Sequence, residues 1–430
     1  MALAMGSGRS DTGRRAASTL DPPETVVFVD PCAAGAGRQA KEFRVSDQGS
    51  RSGTGVPSVP QADPLLWRVE TRASPHVSIP SVIKSGYRPP IGAPSQLDDL
   101  AEAVARITGR PAKLVADLSF SSRAVVGRIA LDRGETVIAK RPRERSALDR
   151  ELTALQLFPP RTRPALVASG EGVFILEDLG NGPSLADLLL GTERRPAEQA
   201  LYAWAAALGT ALAATLRFGA PVERTHAYET LDPLIGLAED LGTSLPAGLD
   251  GDAAAIDAAI AQASPWLAYC PGDTCPDNNR VLGDGSVRLF DFEGAGWRHA
   301  ATEAAYCRAP FCTCWCVAAM PADILASMEA EFLCALRPPR VDEFRAAIGL
   351  AAVFWTLTTF DYFRRFVVDG ARMGPPQGPA DGRQYVVHRL AAIESERLPA
   401  LGELAYRLRK AIVARWPAAA ELPTFPAFRR

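Results

Sequence analysis

The chain has 430 residues, 47% of them hydrophobic and 22% charged, with a formal net charge of -2. That length accommodates two or three domains, and the composition is that of a globular protein. The near-neutral balance leaves no electrostatic footprint for nucleic acid, and no run of about 18 apolar residues offers a membrane span.

The chain opens on a polar segment. Met1 to Pro94 is rich in Gly, Pro, Ser and Arg, and only Glu24–Val29 and Leu65–Val69 look apolar. Such a segment buries too little apolar surface to offset its ordering entropy, so residues 1–94 are expected to form a disordered tail. Met1–Arg15 lacks the apolar stretch of a signal peptide, and a cytoplasmic address is expected. Order is expected to begin at Ser95, a good N-cap, with Leu97, Leu100, Val104 and Ile107 on one helical face until Gly109 and Pro111 stop it. Lys113–Phe120 and Ala124–Leu131 read as strands joined through Ser119-Phe120-Ser121-Ser122-Arg123, and Glu135–Lys140 as a third. Arg145–Phe158 reads as a helix with Leu148, Leu152 and Leu155 on one face, which Glu151 shares. Pro164–Ser169 and Val173–Leu176 read as two further strands, followed by Glu177-Asp178-Leu179-Gly180. From Ser184 the pattern is helical: Leu185–Leu190, Ala197–Phe218, Leu231–Leu241 and Ala253–Ala261, and later Ala300–Tyr306, Ile324–Leu336, Val341–Val368, Tyr385–Glu396 and Leu401–Trp416. The sum is an α+β chain, with a sheet and helix over 95–180 and a mainly helical part over 181–430.

Tyr269–Gly296 concentrates the chemistry. Arg280–Leu282 and Ser286–Phe290 flank Gly283-Asp284-Gly285, a strong hairpin signal. A hairpin sets Asp273 and Asn278, before its first strand, opposite Asp291, after its second. Three oxygen-bearing side chains meeting at one point suit one or two Mg2+ ions carrying phosphate, because Mg2+ takes few protein carboxylates and leaves positions for substrate oxygens.

The spacing is sharper still. Gly272-Asp273, four residues, Asn278, and then Asp291-Phe292-Glu293-Gly294 resembles the catalytic loop and metal-binding Asp of the protein-kinase-like fold. Within that fold it resembles the aminoglycoside phosphotransferase and choline kinase branch, whose members are small-molecule kinases. The resemblance implies a bilobal fold, with a small, mainly antiparallel β N-lobe and a larger, mainly helical C-lobe, and it implies ATP and Mg2+ as cofactors. Asp273 would accept or orient the proton of an attacking hydroxyl, while Asn278 and Asp291 hold Mg2+. Glu135–Lys140 resembles the Val-Ala-Ile-Lys strand, so Lys140 would reach the α and β phosphates, oriented by Glu151, with Glu144 as the rival. Ser121 and Ser122 would lie in the phosphate-covering loop. The Glu177 carbonyl and the Leu179 amide would meet the adenine edge. The partners implied are a nucleotide and a small hydroxylated substrate, with no nucleic acid and no membrane. The motifs cover Leu114–Gly296, and the helical remainder matches only in general character.

The departures are specific. The phosphate-covering loop lacks Gly-x-Gly-x-x-Gly, and Pro271 stands where the family has a loop-supporting His. Cys275-Pro276-Asp277 replaces the frequent His-Pro-Gly, leaving Asp277 as either a third acid near the metal or a solvated one. A non-catalytic nucleotide-binding pseudokinase is the alternative reading. Of eight cysteines, Cys312, Cys314 and Cys316 alternate, without the Cys-x2-4-Cys spacing of zinc sites. They are expected to be reduced thiols packed as small hydrophobes, with a thiolate metal centre as the alternative. Asp361, Asp369, Glu394 and Glu396 are acids available on the helical lobe for a cationic acceptor, though charges on helices are ordinarily solvated.

Overall fold

The computed structural model describes residues 94–217, 231–261, 266–358, 361–371, 378–394 and 396–429. The expected tail up to residue 93, Cys32 and Phe218 lie outside the described residues, as do the side chains of Phe360, Asp361, Tyr362 and Phe363. Every described residue belongs to one unit, Thr54–Arg430.

The N-terminal part is a five-stranded antiparallel sheet, ordered β1-β2-β3-β5-β4. Its strands are β1 (Ala112–Asp117), β2 (Ala124–Leu131), β3 (Thr136–Pro142), β4 (Leu166–Gly170) and β5 (Val173–Glu177). Side chains alternate faces along a strand, and β5 uses both. Val173 and Ile175 join one apolar cluster with Leu97, Leu100 and Val104 of α1 (Pro94–Thr108), while Phe174 and Leu176 join the larger cluster of the C-terminal part. The first helix begins at Pro94, one residue ahead of the expected cap Ser95. Proline suits a first helical turn because the amide it lacks would have no intrahelical partner there. The second helix, α2 (Arg145–Leu157), inserts Leu148, Leu155 and Glu151 between the sheet and the rest of the chain.

The remainder is mainly helical. It comprises α3 (Leu185–Leu190), α4 (Arg194–Ala213), α5 (Leu231–Asp240), α6 (Leu249–Ile256), α7 (Ala301–Ala304), α8 (Ala322–Leu336), α9 (Val341–Thr358), α10 (Asp361–Val368), α11 (Gly382–Glu394) and α12 (Pro399–Arg415). A small antiparallel sheet followed by a larger, mainly helical part is the α+β arrangement expected. Between α6 and α7 sit two small antiparallel pairs. β6 (Leu267–Cys270) pairs with β9 (Gly296–His299), and β7 (Asn279–Val281) pairs with β8 (Val287–Leu289) around the Gly283-Asp284-Gly285 turn. The β6–β9 pairing, which no turn signal announced, brings the two ends of the Tyr269–Gly296 stretch together. Among the described residues, no helix is long and apolar enough to cross a membrane.

One expectation fails in this region. Residues 308–316 are a series of turns, and Cys314, expected to be a reduced thiol, is joined to Cys275 by a disulfide with a Cα–Cα separation of 5.8 Å. Cys312 and Cys316 are buried free thiols, as expected, but Cys314 is not. The spacing could not reveal the pair, because its cysteines lie 39 residues apart.

Candidate active site

The β7–β8 hairpin performs the convergence expected of it. Asn279 pairs with Leu289, and the Phe290 amide donates to the Asn278 carbonyl at 3.1 Å, so Asn278 and the residues after β8 share one end of the hairpin. Asn278 Nδ2 donates to the Asp273 carbonyl at 3.0 Å, tying the two loop residues together. Asp291 follows with φ at 67°, a left-handed conformation that Asp tolerates better than most residues and that aims its carboxylate back across the cleft.

Lys140, on β3, completes the set from the other lobe. Its ammonium forms ion pairs with both Glu151 and Asp291 and lies 3.9 Å from Glu293. Burial alone would lower this ammonium, but the charges of Asp291, Glu151 and Glu293 outweigh it and raise it. Glu151 is 1% exposed; burial pushes its carboxyl up against the pull of Lys140. Burial acts likewise on Asp291, but there Lys140 and Arg123 win and hold the carboxyl low. Glu151 also accepts the Phe292 amide at 3.1 Å, and the Phe292 ring meets Phe158 of α2 edge-on at 5.2 Å. The helix carrying the Lys140 partner is thereby fastened to the loop carrying Asp291. Glu144, the rival, is the residue before α2 and makes no capping bond through its side chain.

A glycine lets the loops meet. Gly272 has φ at 85°, and a Cβ there would run into the backbone of Gly294. The Gly272–Asn278 loop and the Asp291-Phe292-Glu293-Gly294 loop therefore touch backbone to backbone, which only a residue without a side chain at position 272 permits. Support for the loop comes from Glu303, a residue that no motif or spacing singled out. Its carboxylate accepts the Gly272 amide at 3.0 Å and the Thr274 hydroxyl at 3.3 Å. These two bonds brace the loop on either side of Asp273. Asn279 is a second unforeseen brace. Its Oδ1 accepts the Leu185 amide at 2.9 Å and its Nδ2 donates to the Pro276 carbonyl at 2.9 Å, seating α3 on the loop.

Asp273 is pushed up to about 7, by burial first and then by the charges of Asp291 and Asp277. A carboxyl held near neutrality can exchange a proton with a group placed beside it. Asp277 is not a solvated bystander. It accepts Trp315 Nε1 at 2.8 Å, and burial raises its carboxyl. Among the described residues, no group of three or more His, Cys, Asp or Glu side chains is placed to hold a metal ion. What the site offers instead is one amide oxygen, on Asn278, and one carboxylate, on Asp291. Both are hard oxygen donors, few in number, which suits Mg2+ shared with phosphate.

The β1–β2 loop is tied by its own serines. Ser121 Oγ accepts the Arg123 amide at 3.2 Å, so it shapes the turn, while Ser122 is exposed. Ser119, not singled out from the sequence, bridges to Val126 through both its oxygen (3.0 Å from the amide) and its hydroxyl (3.3 Å to the carbonyl). Arg123 forms an ion pair with Glu293, drawing the loop over the Asp291 segment. On the opposite side, Glu177 ends β5 and its amide donates to the Ala165 carbonyl. Leu179 is half-buried. The segment is pinned by Asp178, which accepts Thr136 Oγ1 at 2.7 Å and the Gly180 amide at 2.9 Å, and pairs with Arg128 at 2.8 Å. Burial works against the Asp178 carboxylate, but these donors hold it low. The acids suggested for the acceptor are partly committed elsewhere: Glu394 forms a bidentate pair with Arg409, and Asp369 is exposed.

No family model matches the chain, and no curated protein matches it. Among solved structures it is similar to a protein assigned as a fructosamine-3-kinase from Thermobifida fusca, at 19% identity and a TM-score of 0.42, over 62% of this chain and 93% of that one. It is similar to a protein assigned as an aminoglycoside phosphotransferase from Ralstonia eutropha, at 15% identity and a TM-score of 0.43, over 74% and 98%. It is also similar to choline kinase LicA from Streptococcus pneumoniae, at 10% identity and a TM-score of 0.39, over 74% and 99%.

Proposed function

We propose that the chain is an ATP-dependent phosphotransferase of the aminoglycoside phosphotransferase and choline kinase kind, transferring the γ-phosphate to a hydroxyl of a small molecule. The observation that carries this reading is the bridge made by one buried ammonium, Lys140, between Glu151 of one lobe and Asp291 of the other. Phosphoryl transfer needs charge neutralisation and alignment more than covalent chemistry, and this set supplies both. Bound Mg2+ would neutralise the phosphate oxygens and leave the γ-phosphorus open to attack. Asn278 and Asp291 are the residues to hold it. Lys140, kept charged and aimed by Glu151, would meet the α and β phosphates, and the backbone of the Ser121–Ser122 turn would cover them. The Glu177 carbonyl and the Leu179 amide would pair with the adenine edge, on a segment that Asp178 keeps rigid. Asp273 would take the proton of the attacking hydroxyl. A cytoplasmic enzyme is the setting that fits ATP as donor.

The test is ADP release with Mg2+-ATP over a panel of hydroxylated acceptors, comparing wild type with Asp273→Ala. Turnover with at least one acceptor, lowered about 10²- to 10⁴-fold by the substitution, is expected for a lost general base. Nucleotide binding with no turnover in either protein would replace the enzyme by a pseudokinase.

A further inference from the structure

The catalytic loop is covalently tied to a distant turn. Cys275 stands two residues after Asp273 and three before Asn278, and its disulfide to Cys314 closes a ring that encloses Asn278, the β7–β8 hairpin, Asp291 and Glu303. The far end of the tie is fixed. Phe311 is fully buried against Trp204 at 5.3 Å, and the Cys312 carbonyl accepts Arg389 Nη1 at 2.9 Å as well as the Tyr385 hydroxyl. Trp315 adds a second link to the loop through Asp277. The loop is thus held by Glu303, by Asn279 and by the 311–315 turn, and one of these holds is a bond that a two-electron reductant can break.

We propose that Cys275–Cys314 is a reversible thiol–disulfide site on the catalytic loop, opened by dithiol reductants and closed by disulfide oxidants, whose open form binds Mg2+-nucleotide more weakly. In a reducing compartment, disulfides are mostly transient or redox-sensing rather than structural. Cys275 is 9% exposed and Cys314 is 1% exposed, so attack falls on the Cys275 sulfur. One thiolate of the dithiol bonds to it, and the sulfur of Cys314 leaves with the electron pair and gains a proton. The second thiol of the reductant then displaces Cys275, giving two protein thiols and one oxidised reductant. Tyr306 Oη and Thr313 Oγ1 lie 4.0 and 3.9 Å from the Cys314 sulfur, placed to donate to the departing thiolate. Closure by glutathione disulfide reverses the balance and yields two glutathione thiols. Burial raises the thiols of Cys270, Cys307, Cys312 and Cys316, which suppresses the thiolates that would scramble the pair.

The expected effect on nucleotide rests on the phosphotransferase reading, so the experiment has two arms. In the first, folded protein prepared without reductant is treated with dithiothreitol, blocked with iodoacetamide, digested and weighed. A peptide linking residues 275 and 314 before treatment, and two alkylated cysteines after it, is the expected result. A pair that is absent, or that opens only in denaturant, overturns the proposal. In the second, calorimetry measures Mg2+-AMP-PNP binding by oxidised and reduced wild type, by Cys314→Ser and by Cys307→Ser. Reduced wild type and Cys314→Ser should bind at least about fivefold more weakly than oxidised wild type, as expected when two sites are coupled, with Cys307→Ser unchanged. Equal affinity in both redox states overturns the coupling. No nucleotide binding in any form overturns both the coupling and the phosphotransferase reading, leaving the first arm to judge the thiol site alone.

Discussion

Gly272→Ala is the most demanding perturbation of this site. The residue sits at φ 85°, where a side chain costs about 1–2 kcal/mol on backbone grounds alone. The added Cβ would lie 2.5 Å from the Gly294 carbonyl carbon and 2.8 Å from Arg298 Nη1. Arg298 can swing aside, but Gly294 is backbone within the Asp291 loop. Restoring ordinary contact requires the two loops to part by about 1 Å, and a misplacement of that size can cost about 10²-fold in turnover. The assay is ATP turnover and Mg2+-AMP-PNP affinity beside Gly283→Ala, where a Cβ meets nothing within 4 Å and the fold should be untouched. The expected result is a folded Gly272→Ala protein with turnover down about a hundredfold and a lowered melting temperature, against a normal Gly283→Ala protein. A Gly272→Ala protein with wild-type turnover and stability would refute the backbone-to-backbone apposition of the loops.

Lys140→Met removes the cation shared by Glu151, Asp291 and Glu293, leaving Arg123 on Glu293, and should destabilise by about 3–5 kcal/mol at pH 8, the usual cost of stranding a buried charge. The stranded carboxyls would titrate above their unfolded values, so the folded state would bind more protons than the unfolded one and the deficit should shrink as pH falls toward 5, as urea unfolding at both pH values would show. His299 gives the opposite slope. Burial lowers its pKa from 6.5 to about 4, so the unfolded chain binds the extra proton and stability is lost as pH falls between those values, by about 3 kcal/mol when complete. His299→Asn should flatten the acid limb of the unfolding profile, partly, because His388 is also lowered to about 4. Asp178→Ala leaves Arg128 and Thr136 without their shared acceptor and should cost about 1–3 kcal/mol, raising the KM for ATP more than it lowers kcat.

What the sequence disclosed was local. The turn Gly283-Asp284-Gly285 fixed the hairpin, the hairpin set Asn278 against Phe290, next to Asp291, and helical period placed Glu151 on the face that reaches Lys140. These follow from strand and helix repeats that operate over a few residues. The braces were invisible for the complementary reason. Glu303 reaches Gly272 across 31 positions, Asp178 reaches Arg128 across 50, and Cys275 reaches Cys314 across 39. None of these pairs carries a spacing rule, because each depends on how β9, β5 and the 308–316 turns pack. The cysteine triplet misled for the same reason: its spacing says nothing of Cys275, the distant partner that makes Cys314 a disulfide rather than a reduced thiol. Ser121, picked as a phosphate ligand from its place in the chain, spends its hydroxyl oxygen on Arg123.

The most direct test is calorimetric titration of AMP-PNP into wild type with Mg2+, into wild type with EDTA, and into Asp291→Ala with Mg2+. Binding by wild type with Mg2+, lost in EDTA and lost in the variant, is the outcome expected if Asp273, Asn278, Asp291 and Lys140 form a metal-nucleotide site. Failure of wild type to bind, or binding indifferent to both EDTA and Asp291→Ala, would contradict it.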